Sequence, residues 1–387
     1  MDITICDKTA LNYWRIPPVV QLLAAAPDAD KRLAAVLTPY DLEVLSANFV
    51  DAQNRFMPKH CGRAGEAYRS LMDFVPLLAL CGDTPFDILC ARRGELRESG
   101  LIKPRLWGAP LPTAAIRQVA EGFCVTSPEF TLQQVAVHES PVHTLILASM
   151  LCGGFSTFSV PEPMAGIIQR LCSAGRLPSI GGWSPCLDSN GNLTDLWSHE
   201  PLTTPADLRR LAETTESSRG RARLARAARL VVGGAASPFE AQAGILLGLP
   251  VRYGGAGLGG FEHNRNVYLG PDASLIAQRS WCSCDLYWDE GLDLECHSKT
   301  WHAERDSQLS DFTRETALQL AGVDVVPLTY DQLRSKRQFD AVVRIVASKL
   351  GRKIRANPTR SARWRPSFAT KCSDSIGASA LARFFPF

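Results

Sequence analysis

The sequence lacks a hydrophobic run long enough to cross a membrane. It has no stretch of about 18 or more consecutive apolar residues, whereas a membrane-spanning helix needs about 20. The opening residues, MDITICDKTALNYW, carry an acid at once and lack the charged-then-apolar pattern of a secretory signal. These absences predict no membrane contact and a cytoplasmic location.

The chain also lacks the C-x-x-C spacing of many zinc sites. Its 12 cysteines are scattered, and the closest pair is Cys282 and Cys284. In a long chain without a signal sequence, such cysteines are usually small buried hydrophobic residues. A zinc site formed by Cys282, Cys284 and Cys296 is the alternative.

Acidic residues are nearly absent from the last part of the chain. Residues 351–387 carry eight basic residues and a single acid, Asp374, and therefore a net charge of +7 against +3 for the whole protein. Arg352 and Lys353 belong to this basic tail. A further arginine-rich helix around Arg221 precedes the C-terminal half. Basic segments on a mildly acidic body favour a polyanion such as DNA as partner, and solvated, partly disordered chain is the alternative.

Composition indicates a globular chain, since 45% of its 387 residues are hydrophobic and 21% are charged. Apolar helical stretches predict a mainly helical region over residues 1–175. Gly, Pro, Ser and Asn dominate the residues that follow, which predicts a linker. The linker and the arginine-rich helix together occupy residues 176–236. Residues 237–350 predict an α/β domain with the order αβββαβα. The basic tail follows.

Two strands of that domain, WCSCDLYW and LDLECHS, flank the turn Asp289–Gly291. A three-residue loop with Gly291 in the left-handed conformation would make Trp288 face Leu292. The same register gives three further cross-strand pairs, which are Tyr287 with Asp293, Asp285 with Glu295, and Ser283 with His297. The opposite face would be apolar, with Cys284, Leu286, Trp288, Leu292, Leu294 and Cys296.

Asp285 and Glu295 would then be opposed carboxylates with Cβ atoms about 5 Å apart, which repel each other. A divalent cation, a proton on one carboxyl, or screening by solvent would remove the conflict. The sequence leaves these three solutions open.

The residues of this domain resemble the restriction-endonuclease-like, or PD-(D/E)XK, superfamily, and in particular the group related to very-short-patch repair endonucleases. Five elements carry the resemblance: Glu240 in SPFE, Asp285 in CDLYW, Glu295 in LECHS, His302 in KTWH, and Arg314 with Asp311 in DFTR. The match covers about a quarter of the chain, Ser237 to Leu333.

The resemblance implies that Asp285 and Glu295 bind Mg²⁺ or Mn²⁺ and that Glu240 reaches the metal from its helix. His297 or His302 would be the general base, and Arg314 and Lys299 would contact phosphate. Local structure offers alternatives for two of these residues. Glu240 also completes a capping box with Ser237, and Asp311 with Arg314 could form an ion pair within one helix.

The expected function is a metal-dependent DNA endonuclease or nickase; the resemblance alone suggests defence or mobile-element biology. His297 replaces the superfamily's usual lysine. This departure favours a second hypothesis, a catalytically inactive, nuclease-like DNA-binding or antitoxin-like regulator. A third is an interaction protein whose function lies in residues 1–175.

Overall fold

The computed structural model describes residues 2–56, 71–297 and 305–354, with only the backbone described for residues 305–312. Its internal contacts divide the chain into two compact units. The first unit consists of Met1–Ala148, Ser156–Cys186 and Leu193–Arg229, and the second of Ser149–Phe155, Leu187–Asn192 and Leu230–Phe387. The fold is mixed α/β, as expected.

The first unit contains a five-stranded sheet in the order β3-β2-β1-β5-β4. Its strands are Ile3–Ile5 (β1), Phe86–Cys90 (β2), Ile102–Leu106 (β3), Ile116–Ala120 (β4) and Phe123–Thr126 (β5). β1 runs parallel to β5 and antiparallel to β2, and β2 is parallel to β3. The prediction of a mainly helical region missed this sheet, because short apolar strands such as β1 and β5 show no clear alternation.

Ten helices lie wholly or mainly in the described part of the first unit. They are Asp7–Tyr13 (α1), Pro18–Ala25 (α2), Lys31–Ala34 (α3), Pro39–Phe56 (α4), Val75–Leu80 (α5), Pro128–Val135 (α6), Pro141–Leu151 (α7), Met164–Ser173 (α8), Pro205–Thr214 (α9) and Arg221–Leu230 (α10). Ser127 caps α6 by accepting from the N–H of Phe130, and Pro128 occupies the first helical position.

The predicted linker is wrong in part, because it contains two strands. Phe155–Thr157 (β6), Ser184–Leu187 (β7) and Leu193–Ser198 (β8) form a sheet in the order β6-β8-β7. The polar run between β7 and β8 is a turn, in which the Asp188 carboxylate accepts from the N–H groups of Asn190 at 2.9 Å and Asn192 at 2.8 Å. Turn residues that indicated a linker therefore close a pair of strands.

The second unit contains the strands and helices of the predicted αβββαβα series with two differences: one short helix is added, and the predicted last helix is divided in two. Its elements are Pro238–Gly248 (α11), Phe261–Tyr268 (β9), Pro271–Ala277 (α12), Trp281–Trp288 (β10), Leu292–His297 (β11), Arg305–Leu320 (α13), Asp324–Thr329 (β12), Tyr330–Arg334 (α14) and Lys336–Lys349 (α15). The addition is α12, between β9 and β10.

The sheet of the second unit has the order β12-β11-β10-β9, with β11 parallel to β12 and the other pairs antiparallel. The predicted hairpin register is confirmed at its closed end, where Trp288 pairs with Leu292 and Tyr287 with Asp293. Gly291 adopts the left-handed conformation with φ of 80°. Alternation and turn chemistry together therefore determine this register.

Two apolar clusters lie against this sheet. Leu286, Trp288 and Leu294 pack with α11 and α15, whereas Cys284 packs with Cys282 and with Ala317 and Leu318 of α13. The predicted apolar face is therefore wrong for Cys284.

The physical reason for this difference is an interruption of the β9–β10 ladder. Cys284 pairs with Arg265 and Leu286 with His263, but the intervening Asp285 and Asn264 are not paired. Asn264 has a left-handed φ of 52°, which breaks regular strand geometry. The side chains before and after Asp285 therefore belong to different clusters.

No helix among the described residues is long and apolar enough to span a membrane.

Candidate functional site

Four acidic side chains come together where α11 faces the β10–β11 hairpin. Glu240 comes from α11, Asp285 from β10, and Asp293 and Glu295 from β11. Asp293 is completely buried, Glu240 and Glu295 are also buried, and Asp285 is half-buried. We refer to these four residues as the acidic cluster.

Glu240 is fixed by donors close to it in the fold. Its Oε1 accepts from the Ser237 hydroxyl at 2.8 Å, and its Oε2 accepts from the Ala236 N–H and from Asn264 Nδ2, both at 2.7 Å. Burial raises the pKa of Glu240, and these donors oppose that rise. The predicted capping interaction is thus present, but the reciprocal backbone donor is Ala236 instead of the N-cap residue Ser237.

Asp285 lies at the interruption of the ladder, and its side chain bridges to the neighbouring strand. Its Oδ2 accepts from the Cys296 N–H at 2.8 Å, and its carbonyl oxygen is 3.1 Å from His263 Nδ1. Because a carbonyl can only accept, that nitrogen carries the proton. Burial, followed by Glu295 and Glu240, raises the pKa of Asp285 well above its usual range.

Asp293 and Glu295 are neighbours on one face of β11. Burial raises the pKa of Asp293 to about 7 and that of Glu295 to about 8. Both carboxylate oxygens of Asp293 and the Oε2 of Glu295 are buried, and the groups nearest to Asp293 are the Glu295 carboxyl and the Cys284 thiol. A proton held by either carboxyl could bond to the other, so the two acids resist simultaneous ionisation at neutral pH.

Arg314 of α13 brings a positive charge to the cluster. Its guanidinium donates to Glu295 Oε1 and to the carbonyl oxygen of Ser283. A single guanidinium does not neutralise four carboxylates, so further charge must be removed by protons or balanced by another cation. The ion pair predicted between Arg314 and Asp311 falls outside the described side chains, and the described carboxylate partner of Arg314 is Glu295.

The remaining predicted site residues lie in several places. His297 ends β11 and is half-exposed, whereas His302 and Lys299 fall outside the described residues, as does the side chain of Asp311. Arg221 is exposed at the start of α10.

Arg352 and Lys353 differ in their surroundings. Arg352 forms an ion pair with Glu290 at 2.7 Å and donates to the Gly259 carbonyl at 2.6 Å, which makes it a structural contact of the hairpin tip. Lys353 is exposed. Of these two basic residues, Lys353 is therefore the better placed for an external anion.

The described residues contain no group of three or more His, Cys, Asp or Glu side chains arranged to hold a metal ion. The three cysteines of the zinc alternative are not such a group among the described residues either. Cys282 and Cys284 pack in a different cluster from Cys296. Magnesium sites often use only one or two protein carboxylates, with phosphate and water completing the shell. The carboxylate oxygens of Asp285 and Glu295 are ligands of the type that magnesium prefers, although Arg314 contacts Glu295.

Two participants were not assigned a role from the sequence. Asp293 alternates with Glu295 along β11, but the prediction paired it only with Tyr287. Asn264 gave no signal, because its left-handed backbone and its bond to Glu240 depend on the folded β9–β10 pair.

No protein-family model matches the chain, and neither the curated proteins nor the solved structures include a significant match.

Proposed function

We propose that this protein is a metal-dependent DNA endonuclease or nickase that hydrolyses phosphodiester bonds at the acidic cluster. The order α11, β9, β10, β11, α13, β12, α14 supports the likeness to the PD-(D/E)XK core, with α12 as an insertion. In this proposal, Asp285 and Glu295 would be the two acidic residues of that motif. A cytoplasmic setting and a role in defence or mobile-element biology belong to the same proposal.

The observation that carries the proposal is the excess of buried carboxylate oxygens. Asp293 and Glu295 together bury three carboxylate oxygens that contact no cation among the described residues, and Arg314 supplies a single guanidinium to the remaining oxygen of Glu295. Burying uncompensated negative charge costs several kcal/mol, on the order of 3–5. A divalent cation would compensate that charge where protons on the raised-pKa carboxyls do not.

Asp285 and Glu295 would hold Mg²⁺ or Mn²⁺, which would supply a Lewis acid and lower the pKa of a water molecule. Arg314 already contacts Glu295 Oε1, so it is positioned to exchange that carboxylate for a phosphate oxygen of the DNA. His297, at the half-exposed end of β11, would act as the general base. His302 keeps the same proposed role.

The second candidate function is a nuclease-like protein that no longer cuts and instead binds DNA or acts as an antitoxin-like regulator. The contact between Arg314 and Glu295 favours it, because a built-in guanidinium can take the place of a metal ion. His297 in place of lysine points the same way. In both functions, the basic tail and exposed residues such as Arg221 and Lys353 would contact the phosphate backbone.

Cleavage of supercoiled plasmid in Mg²⁺ or Mn²⁺ tests the first function. Glu295→Gln should abolish cutting and retain DNA binding, because it removes a metal ligand and keeps the surface charges. Asp289→Asn is the matched control: this acid is 84% exposed at the tip of the same hairpin, so its removal should leave cutting unchanged.

Two further variants separate the candidates. His297→Lys restores the usual residue of the superfamily; new activity in a parent that does not cut would identify an inactivated nuclease. Thermal unfolding with Mn²⁺ reports metal binding without turnover. A ligand at about 100 times its Kd adds about 2.7 kcal/mol, so the parent should gain stability and Asp285→Asn should gain little. Equal gains in both proteins would place the ion elsewhere.

A further inference from the structure

The first unit contains a pocket that the proposed nuclease function does not use. It has a volume of about 320 Å³, within the range of small-molecule sites, which starts at about 300 Å³. The charged or titratable residues of its lining are Asp7, Arg93, Arg105, His138 and Arg219. The accessible apolar part of the lining consists of Pro104, Leu106 and Val137. All of these residues belong to the first unit.

The acids at this pocket are buried behind cationic side chains. Asp7 is 3% exposed, and its Oδ2 lies 3.4 Å from His138 Nε2 and 3.7 Å from Arg105 Nε. The same Arg105 Nε donates at 2.7 Å to Oδ1 of Asp87, which is also buried. Arg105 and His138 are therefore the partners of these two acids, and a ligand in the pocket would meet little negative surface.

Two arginines of the lining, Arg93 and Arg219, have no such partner. Both are exposed, and neither pairs with a carboxylate among the described residues. Glu95, the acid nearest to Arg93 along the chain, accepts instead from two backbone N–H groups of its own loop, at 2.8 Å and 3.0 Å. Arg219 is held at the pocket, since it donates to the Leu106 carbonyl at 3.0 Å and its guanidinium carbon lies 5.9 Å from the Trp107 ring centre. The pocket therefore has two accessible positive charges without a counter-charge.

Two guanidinium groups without a counter-charge match a dianion better than a monoanion. A phosphate monoester carries a charge of about −1.5 to −2 at neutral pH and presents three acceptor oxygens. Guanidinium groups bind such oxygens with paired N–H donors. A single carboxylate would leave the second arginine without a counter-charge. The apolar part of the lining adds a surface for an organic group.

We infer that this pocket binds a phosphate monoester. The phosphate group would contact the exposed guanidinium groups of Arg93 and Arg219, and the organic group would lie on the apolar part of the lining. The inference is independent of the proposed nuclease function, because it uses none of the residues of the acidic cluster.

Isothermal titration calorimetry of the full chain with phenyl phosphate tests the inference. Benzoate is the matched probe for charge, because it keeps the aromatic ring and is a monoanion, and it should bind at least about tenfold more weakly. Inorganic phosphate is the probe for the organic group, and it should also bind more weakly than phenyl phosphate. The absence of phenyl phosphate binding, or equal binding by either of the other two anions, would overturn the inference.

Neighbouring arginines supply the variant and its control. The Arg93 side chain makes no hydrogen bond or ion pair with the described residues, so Arg93→Ala should leave the fold intact, and circular dichroism checks this. It should weaken phenyl phosphate binding about tenfold. Arg92→Ala removes an adjacent exposed arginine that does not line the pocket, and it should leave the affinity unchanged. If Arg92→Ala and Arg93→Ala are equal in effect, the site assignment is wrong.

One further titration distinguishes two sources of the same group, a free small molecule and the 5′ end of a nucleic acid strand. Tighter binding of phenyl phosphate than of a 5′-phosphorylated tetranucleotide identifies a free ligand, and the reverse order identifies a strand end. Either order supports the phosphate site when Arg93→Ala weakens the tighter of the two ligands. Binding of both ligands that does not depend on Arg93 overturns the inference.

Discussion

Replacing Asp293 by asparagine tests whether the acidic cluster stores a proton. Asp293 is fully buried beside Glu295, and its pKa is raised by burial from 3.8 to about 7. The unfolded chain releases this proton near pH 4, but the folded protein keeps it until about pH 7. Asp293→Asn retains the shape of the side chain and removes its charge, so it isolates this effect.

The sign and size of the effect follow from proton linkage. For an acid whose pKa is raised by folding, the contribution to stability is full below the unfolded pKa and is lost as the pH rises through the folded pKa. Each retained proton makes the free energy of unfolding fall by about 1.4 kcal/mol per pH unit, and the fall for Asp293 is about 2.3 kcal/mol between pH 5 and pH 7, because half of its proton is already lost at pH 7. Glu295 adds to the fall, because its pKa is raised from 4.5 to about 8.

Asp293→Asn should therefore flatten this pH dependence and stabilise the protein at pH 7 to 8. Removal of Asp293 also deletes one of the causes that raise the pKa of Glu295, which leaves that carboxylate free to pair with Arg314 as an ion. The measurement is urea denaturation followed by circular dichroism at pH 5, 6, 7 and 8, with Asp289→Asn as the exposed control. Parallel pH profiles for the parent and Asp293→Asn would refute the proton-storage argument.

Two other predictions concern packing and DNA binding. Gly244→Ala in α11 should destabilise the protein despite the better helix propensity of alanine, because the added Cβ would lie 2.6 Å from His263 Nε2. Gly166→Ala in α8 is the control, since its Cβ would meet only the flexible Glu162 carboxylate at 3.4 Å. This control should stabilise the protein by about 0.5–1 kcal/mol, measured by thermal or chemical unfolding. Deleting residues 355–387, which keeps the structural contact of Arg352, should lower the slope of log affinity against log salt by about 0.9 for each DNA phosphate that the tail neutralises, and an unchanged slope would exclude the tail from DNA binding.

The sequence was most informative where short-range rules agree with one another. The β10–β11 hairpin follows from side-chain alternation and Gly291, and the start of α11 follows from Ser237, which precedes a proline and accepts from the Glu240 N–H. These features depend on residues that are near in sequence, so no knowledge of tertiary contacts was needed.

The features that were missed depend on distant residues. The five-stranded sheet pairs β1 with β5 across more than a hundred residues, and both strands are short apolar runs without a distinctive period. The interruption at Asp285 requires Asn264 to adopt its left-handed conformation on another strand. The contact of Arg314 with Glu295 depends on how α13 packs on the sheet. Sequence therefore indicated Glu240, Asp285 and Glu295, but neither Asp293 nor the contacts that set the charge of these acids.

The two proposed functions of the second unit differ in how the charge of the acidic cluster is neutralised, and this difference can be measured. Protons, the Arg314 guanidinium and a divalent cation are three ways to neutralise the acidic cluster, and they respond differently to pH. Arg314 stays charged throughout, protons leave Asp293 and Glu295 as the pH rises past about 7 and 8, and metal ions bind more tightly once carboxyls are deprotonated. In a metal-dependent nuclease, the stabilisation by Mn²⁺ should therefore grow from pH 6 to pH 8, as ions take over the positions that protons vacate. In a protein that relies on Arg314 alone, stability should fall over the same range whether or not Mn²⁺ is present.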